Sequence, residues 1–137
     1  MIVGYTTGVF DLFHIGHLNI LKNAKENCDH LIVGVTTDEL VFSRKNKYPV
    51  IPIAERLDIV RAIKYVDAVV VQNSMKKIEA WETLRFHRMF VGDDWKGTST
   101  WQELEVAFSE LDVEIVYFPY TKHTSSTKLK EALEKLN

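Results

Sequence analysis

A chain of 137 residues is long enough to bury a substantial core and short enough to form one domain, expected here over residues 1–137. With 46% hydrophobic and 26% charged residues it sits at globular averages, which excludes a disordered, collagen-like or coiled-coil chain. The 17 basic and 19 acidic side chains leave a net charge of −2, so no global basic field recruits nucleic acid, and any anionic ligand must be held by a local cluster.

Taken in chain order, a β-branched apolar run predicts a strand over 2–6, followed by helical spacing of Leu18, Leu21 and Ala24 and a second strand over 31–35. The segment 43–53 carries Arg44, Lys45 and Lys47 ahead of Pro49 and Pro52 and reads as a mobile basic loop. Leu57, Val60 and Ile63 then mark a helix, 68–71 a strand, and Met75, Ile78 and Trp81 another helix. A strand over 89–91, a helix bearing Trp101, Leu104 and Phe108, a strand over 113–117 and a final helix with Leu129, Leu133 and Leu136 complete the chain. Short apolar strands alternating with longer helices imply βαβ crossovers, hence an α/β fold with a mostly parallel sheet covered on both faces. The single Cys28 forms no internal disulfide, and residues 1–5 lack the basic start and long apolar run of a signal peptide or spanning helix. The expectation is a cytoplasmic chain with no membrane partner.

Open α/β sheets bind ligands beyond the carboxyl ends of their strands. Those positions are rich here: Gly8-Val9-Phe10-Asp11-Leu12-Phe13-His14-Ile15-Gly16-His17, then Thr36-Thr37-Asp38, then Gly92-Asp93-Asp94-Trp95-Lys96-Gly97, then 120–127. His14 and His17 lie at a strand-to-helix junction, and a helix starting near Gly16 directs free amides and its positive end at the same spot, which suits an anion. A plainer alternative has one imidazole capping the helix and the other half-buried. A metal pair is weaker, because no obvious Cys, His or Glu completes a site. Asp11 and Asp38 stand where they could orient substrates or hold magnesium, with a helix N-cap as the plain alternative, the preferred one for Asp38.

The string Gly-x-Phe-Asp-x-x-His-x-Gly-His resembles the signature of the cytidylyltransferase-like nucleotidyltransferases, most closely the glycerol-3-phosphate cytidylyltransferases. The likeness continues through Thr37-Asp38-Glu39, Glu55-Arg56, Tyr65-Val66-Asp67, Gly92-Asp93-Asp94-Trp95 and Ser126-Thr127-Lys128. It implies a five-stranded parallel Rossmann-like sheet with helices on both faces, magnesium arriving with CTP as cofactor, a small alcohol phosphate as acceptor, and a homodimer. It further implies that His14 and His17 face the α-phosphate, helped catalytically by Arg44 and Lys47 of the basic loop. Gly8, Val9, Phe10, Asp11 and Gly16 would seat the nucleotide, with Asp94 and Trp95 beside its base. Thr121, Lys122, His123, Thr124, Ser125, Ser126 and Thr127 would hold its phosphates. Asp38, Arg56, Lys64 and Lys77 would meet the acceptor, and no dedicated protein metal site is expected.

Two positions depart from the family pattern. Tyr120 stands where an arginine usually grips the triphosphate, offering one neutral donor in place of a bidentate fork, and Val9 replaces a common threonine. The reaction class survives both changes. CTP as the donor becomes less secure, leaving an adenylyltransferase of the same fold and a non-catalytic nucleotide-binding relative as competing readings.

Overall fold

The computed structural model describes residues 1–119 and 126–136. Five strands, β1 (Val3–Gly8), β2 (His30–Thr36), β3 (Ala68–Gln72), β4 (Arg88–Gly92) and β5 (Glu114–Phe118), form one sheet in the order β3-β2-β1-β4-β5. Every neighbouring pair is parallel. Among the described residues the helices are α1 (Ile15–Glu26), α2 (Asp38–Lys45), α3 (Ile53–Arg61), α4 (Lys77–Leu84), α5 (Ser99–Glu110) and α6 (Ser126–Leu136), with a 3-10 turn at Asp93–Trp95. The result is a single Rossmann-like α/β domain.

Strand side chains alternate between two cores. Leu31, Val33 and Val35 pack with Leu21 and Ala24 of α1 and Val60 of α3, while Ile32 joins Tyr5, Met89, Trp101 and Phe108 on the other face. Two-sided burial is why the strands read as unbroken apolar runs. Gly34 permits one tight approach, since a Cβ there would lie 2.6 Å from the Tyr5 hydroxyl oxygen. Burial lifts that phenol to about 12, so it stays protonated.

Sequence and structure differ at α2. The expected loop 43–53 surrenders its first three residues to the last turn of this helix, and the loop itself occupies 46–52. Only Val41 of α2 is buried and Phe42 is exposed, so no apolar stripe announces the helix. Its end signals are present nonetheless: the Thr37 hydroxyl accepts from the Leu40 N–H at 3.1 Å, and Asn46 closes the helix with φ 57°. Thr37 therefore caps α2, not Asp38. Ile63 and Met75 fall just outside α3 and α4.

Candidate functional site

Chain order reverses direction between β1 and β4, and at this switch point a parallel sheet opens a crevice beyond its carboxyl edge. A cavity of ≈430 Å³ lies there. Thr7 and Gly8 of β1, Gly16 and His17 of α1, Gly92 at the end of β4 and Asp94 just after it all line it, as do Ser126 and Lys130 of α6.

The turn between β1 and α1 is strained and held from three sides. Phe10 and Leu12 occupy the left-handed region at φ 54° and 49°, a conformation that costs a non-glycine residue on the order of 1–2 kcal/mol. Arg56, 0% exposed, donates from Nη1 to the Val9 carbonyl at 2.7 Å and to the Thr36 carbonyl at 2.8 Å, and from Nε to the Ile51 carbonyl at 2.8 Å. Its Nη2 meets Asp38 at 2.5 Å. The Asp11 carboxylate, 3% exposed, accepts the N–H groups of Val50 and Ile51 at 2.9 Å each and the Lys130 ammonium at 3.1 Å. Burial alone would raise the Asp11 pKa, but these three donors outweigh it and hold the carboxyl below the usual carboxylate range. Finally, Ser126 Oγ donates to the Asp11 carbonyl at 2.7 Å.

The histidines are placed by the same helix start. His14 Nδ1 accepts the Gly16 N–H at 3.1 Å and His17 Nδ1 accepts the His14 N–H at 3.2 Å, a reciprocal cap in which imidazoles stand where a serine and a glutamate commonly do. Capping and facing the cavity thus coexist. The rings lie 3.9 Å apart, and Phe10 and Phe13 flank His17 at 5.4 and 5.2 Å. With Nδ1 accepting, each neutral ring carries its proton on Nε2 and is a hydrogen-bond donor there.

Several sequence-based assignments are corrected by the structure. Arg56 does not meet an acceptor, because its guanidinium is enclosed and spends its donors on the protein. Both oxygens of Asp38 are likewise engaged, by Arg56 and by the Ile53 N–H at 3.3 Å. Asp11 lines the cavity, with its carboxylate occupied by the Val50 and Ile51 N–H groups and the Lys130 ammonium. Lys64 follows α3 and precedes β3, which puts it at the amino edge of the sheet, opposite the cavity, with its ammonium 5.2 Å from the Tyr65 ring. On the basic segment it is Lys45 that lines the cavity, one helical turn after Val41; Lys47 is exposed outside the lining, and Arg44 lies close enough to Lys77 to act on its charge.

Lys77 is 8% exposed and donates to Thr7 Oγ1 at 3.2 Å. Burial, and secondarily the Arg44 charge, brings its pKa down to about 8. Lys77 itself is outside the cavity lining; within the lining, the Asp94 carboxylate folds back over Gly92, where a Cβ would sit 2.7 Å from Asp94 Oδ1, and Trp95 is half-exposed beside it. Val9, Phe10, Gly16 and Ser126 also line the cavity, whereas Thr127 is exposed outside the lining. The assignments at Thr121, Lys122, His123, Thr124 and Ser125, and the departure at Tyr120, lie outside the described residues. Asn19, Ile20, Asn23 and Lys130 were missed from sequence and line the cavity. Spacings of three, four and seven residues from Gly16 along one helix face could have found the first three. Among the described residues, no group of three or more His, Cys, Asp or Glu could hold a metal ion, and no helix is long and apolar enough to cross a membrane.

Comparison with known proteins agrees with this geometry. The chain is 34% identical over 134 residues to the glycerol-3-phosphate cytidylyltransferase of Bacillus subtilis (strain 168), covering 96% of each. It is 33% identical over 130 residues to the FAD synthase of Pyrococcus abyssi (strain GE5 / Orsay), covering 94% of this chain and 88% of that one. Among solved structures, the lipopolysaccharide core biosynthesis protein from Thermoplasma volcanium GSS1 superposes with a TM-score of 0.74 at 26% identity, over 90% of this chain and 99% of that one. The family model described as cytidylyltransferase-like matches residues 5–132. A parallel switch-point cavity with His14-Ile15-Gly16-His17 at its first helix, inside a match of that extent, makes the chain a member of the cytidylyltransferase-like family of nucleotidyltransferases.

Proposed function

We propose that this nucleotidyltransferase joins CTP to a small alcohol phosphate, with glycerol 3-phosphate the favoured acceptor, giving a CDP-alcohol and pyrophosphate. An acceptor phosphate oxygen attacks the α-phosphorus. A new P–O bond forms there, and the bond to the bridging oxygen of the β-phosphate breaks, that oxygen leaving with the electron pair. No covalent enzyme intermediate is needed, so the protein's work is positioning and stabilisation of charge.

The observation that carries the reading is the imidazole pair at the start of α1, with each Nδ1 tied to a backbone N–H and both rings lining the cavity. Neutral Nε2–H donors beside helix N-terminal amides suit the oxygens of an α-phosphate under attack. Lys45 supplies positive charge from α2, and Lys77 is the buried amine for the acceptor phosphate. Asp94 accepts from the exocyclic amine of the base, with Trp95 alongside. Magnesium enters as part of the substrate, on the triphosphate, with phosphate oxygens and water as its ligands. The working form in this reading is a cytoplasmic homodimer.

The similarity to the FAD synthase favours a second reading, an adenylyl transfer from ATP to a flavin phosphate on the same machinery. One assay separates them: pyrophosphate release with CTP or ATP against glycerol 3-phosphate, other polyol and amino-alcohol phosphates, and flavin mononucleotide, each with and without EDTA. The expected pair is CTP with glycerol 3-phosphate, abolished by EDTA. Turnover only with ATP and the flavin would replace the first reading by the second. Nucleotide binding without turnover for any pair would leave a non-catalytic relative.

A further inference from the structure

We infer that Lys130 and Asp11 are a positioning pair that sets α6 and the segment 46–52 together, so that the cavity wall bearing Lys130 and the wall bearing Lys45, which that segment follows, are placed by one junction. The kinetic consequence rests on the nucleotide-transfer reading above. The structural consequence does not.

Asp11 meets both walls at once. Its carboxylate receives two backbone N–H groups from segment 46–52 and the ammonium of Lys130, while its carbonyl receives the Ser126 hydroxyl. Ser126 and Lys130 are four residues apart, so both contacts come from one face of α6. Ser126 opens that helix, and its position relative to the cavity is therefore fixed by Asp11 at two points. On the opposite side, the chain leading from Lys45 into α3 is gripped through Val50 and Ile51. A shift of α6 that withdraws the ammonium weakens the charge balance of a buried carboxylate, and with it the hold on the segment following Lys45.

The Lys130 side chain is 37% exposed, so its ammonium keeps part of its water while the Asp11 carboxylate, 3% exposed, does not. Without it, Asp11 still accepts two N–H groups, so the fold is expected to survive its removal. What is lost is the link between walls.

Two measurements test this on wild type, Lys130→Met and Lys130→Arg. The first is amide hydrogen exchange without ligand. In Lys130→Met, the Val50 and Ile51 amides and the first turns of α6 should exchange faster together, by roughly tenfold, with Lys130→Arg restoring protection. Faster exchange in α6 with unchanged Val50 and Ile51, or no change in either, overturns the coupling. The second is steady-state kinetics, where Lys130→Met should raise KM for nucleotide and acceptor alike by roughly tenfold while kcat changes less than threefold, again restored by arginine. Unchanged KM values, or a loss confined to kcat, overturn the positioning role. A wild-type protein that turned over no nucleotide would remove the enzymatic reading and leave the exchange experiment to decide the coupling.

Discussion

The turn between β1 and α1 and the basic C-terminal end of α2 border the same cavity, yet they use charge in opposite ways. The turn, which carries two left-handed non-glycine residues, is gripped at the Val9 carbonyl by Arg56, which is wholly buried and donates to three carbonyls and a carboxylate. At the end of α2 and just beyond it, Arg44, Lys45 and Lys47 stand in solvent, and the chain that follows is held through its backbone at Val50 and Ile51. Desolvation makes the difference. A cation removed from water must spend its donors on fixed partners, whereas a solvated one keeps them for an incoming phosphate. Proximity to an anion site therefore does not identify which cation binds the anion.

Removing the buried cation should have the largest effect. Arg56→Leu leaves the Asp38 charge without its partner and three carbonyls without a donor, so a loss of about 3–5 kcal/mol is expected. Chemical denaturation of the variant measures it. Arg56→Lys should recover only part, since an ammonium cannot span the fork of partners. An Arg56→Leu protein of wild-type stability would mean that the buried guanidinium holds its four partners no more firmly than a solvated cation would.

The next effect is on chemistry and not on folding. His14→Asn keeps a side-chain acceptor for the Gly16 N–H and so keeps the cap, but removes the imidazole donor. Turnover should fall about 100-fold to 1000-fold while the melting temperature stays near wild type. Activity and melting temperature falling only in proportion would mean that the ring serves the helix alone.

These contrasts explain what the sequence reveals and what it hides. Parallel strands are legible because both faces are buried, so Leu31, Ile32 and Val33 need no alternation to be read as a strand. The histidines are legible because spacing and a helix start act locally. The role of Arg56 is not, because it depends on Val9, 47 residues earlier, and Thr36, 20 residues earlier, meeting at one point. Asp11 is hidden for the same reason, its partners lying 39 and 40 residues along the chain. Lys64 looks like its neighbours in composition, and only strand direction reveals that it faces the other edge.

Lys77 lies between the two extremes, buried outside the lining but bonded to Thr7, which lines the cavity, and its effect should be smaller and depend on pH. Below about pH 8 both the folded and unfolded chains hold its proton, and the buried charge penalises the folded state in full. Between about 8 and the ordinary lysine value of 10.5 the folded chain releases the proton first, so this penalty fades and stability rises with pH. Lys77→Met should therefore stabilise the protein at pH 7 by on the order of 2 kcal/mol, after the lost bond to Thr7, with the gain disappearing near pH 10.5. An acceptor phosphate beside the amine should raise its pKa again. Calorimetry near pH 8 in buffers of different ionisation enthalpy should show proton uptake on acceptor binding in wild type and none in the variant.

The smallest effects separate three exposed lysines that composition alone cannot rank. Lys45 shares the cavity-facing side of α2 with Val41, Lys47 lies past the helix end, and Lys64 sits at the opposite edge of the sheet. Each is solvated, so none should change stability by more than about 0.5 kcal/mol when replaced by alanine. Against a polyanionic substrate the three should nevertheless diverge, because attraction between solvated charges fades beyond a Debye length of about 8 Å at physiological ionic strength. Lys45→Ala should raise the nucleotide KM by roughly threefold to tenfold, an effect that shrinks as salt is added, whereas Lys64→Ala should leave it unchanged. Lys47→Ala is the informative intermediate. A rise in KM matching that of Lys45→Ala would show that the whole segment contributes by charge density, while a wild-type KM would restrict the contribution to the lysine on the cavity-facing side of the helix.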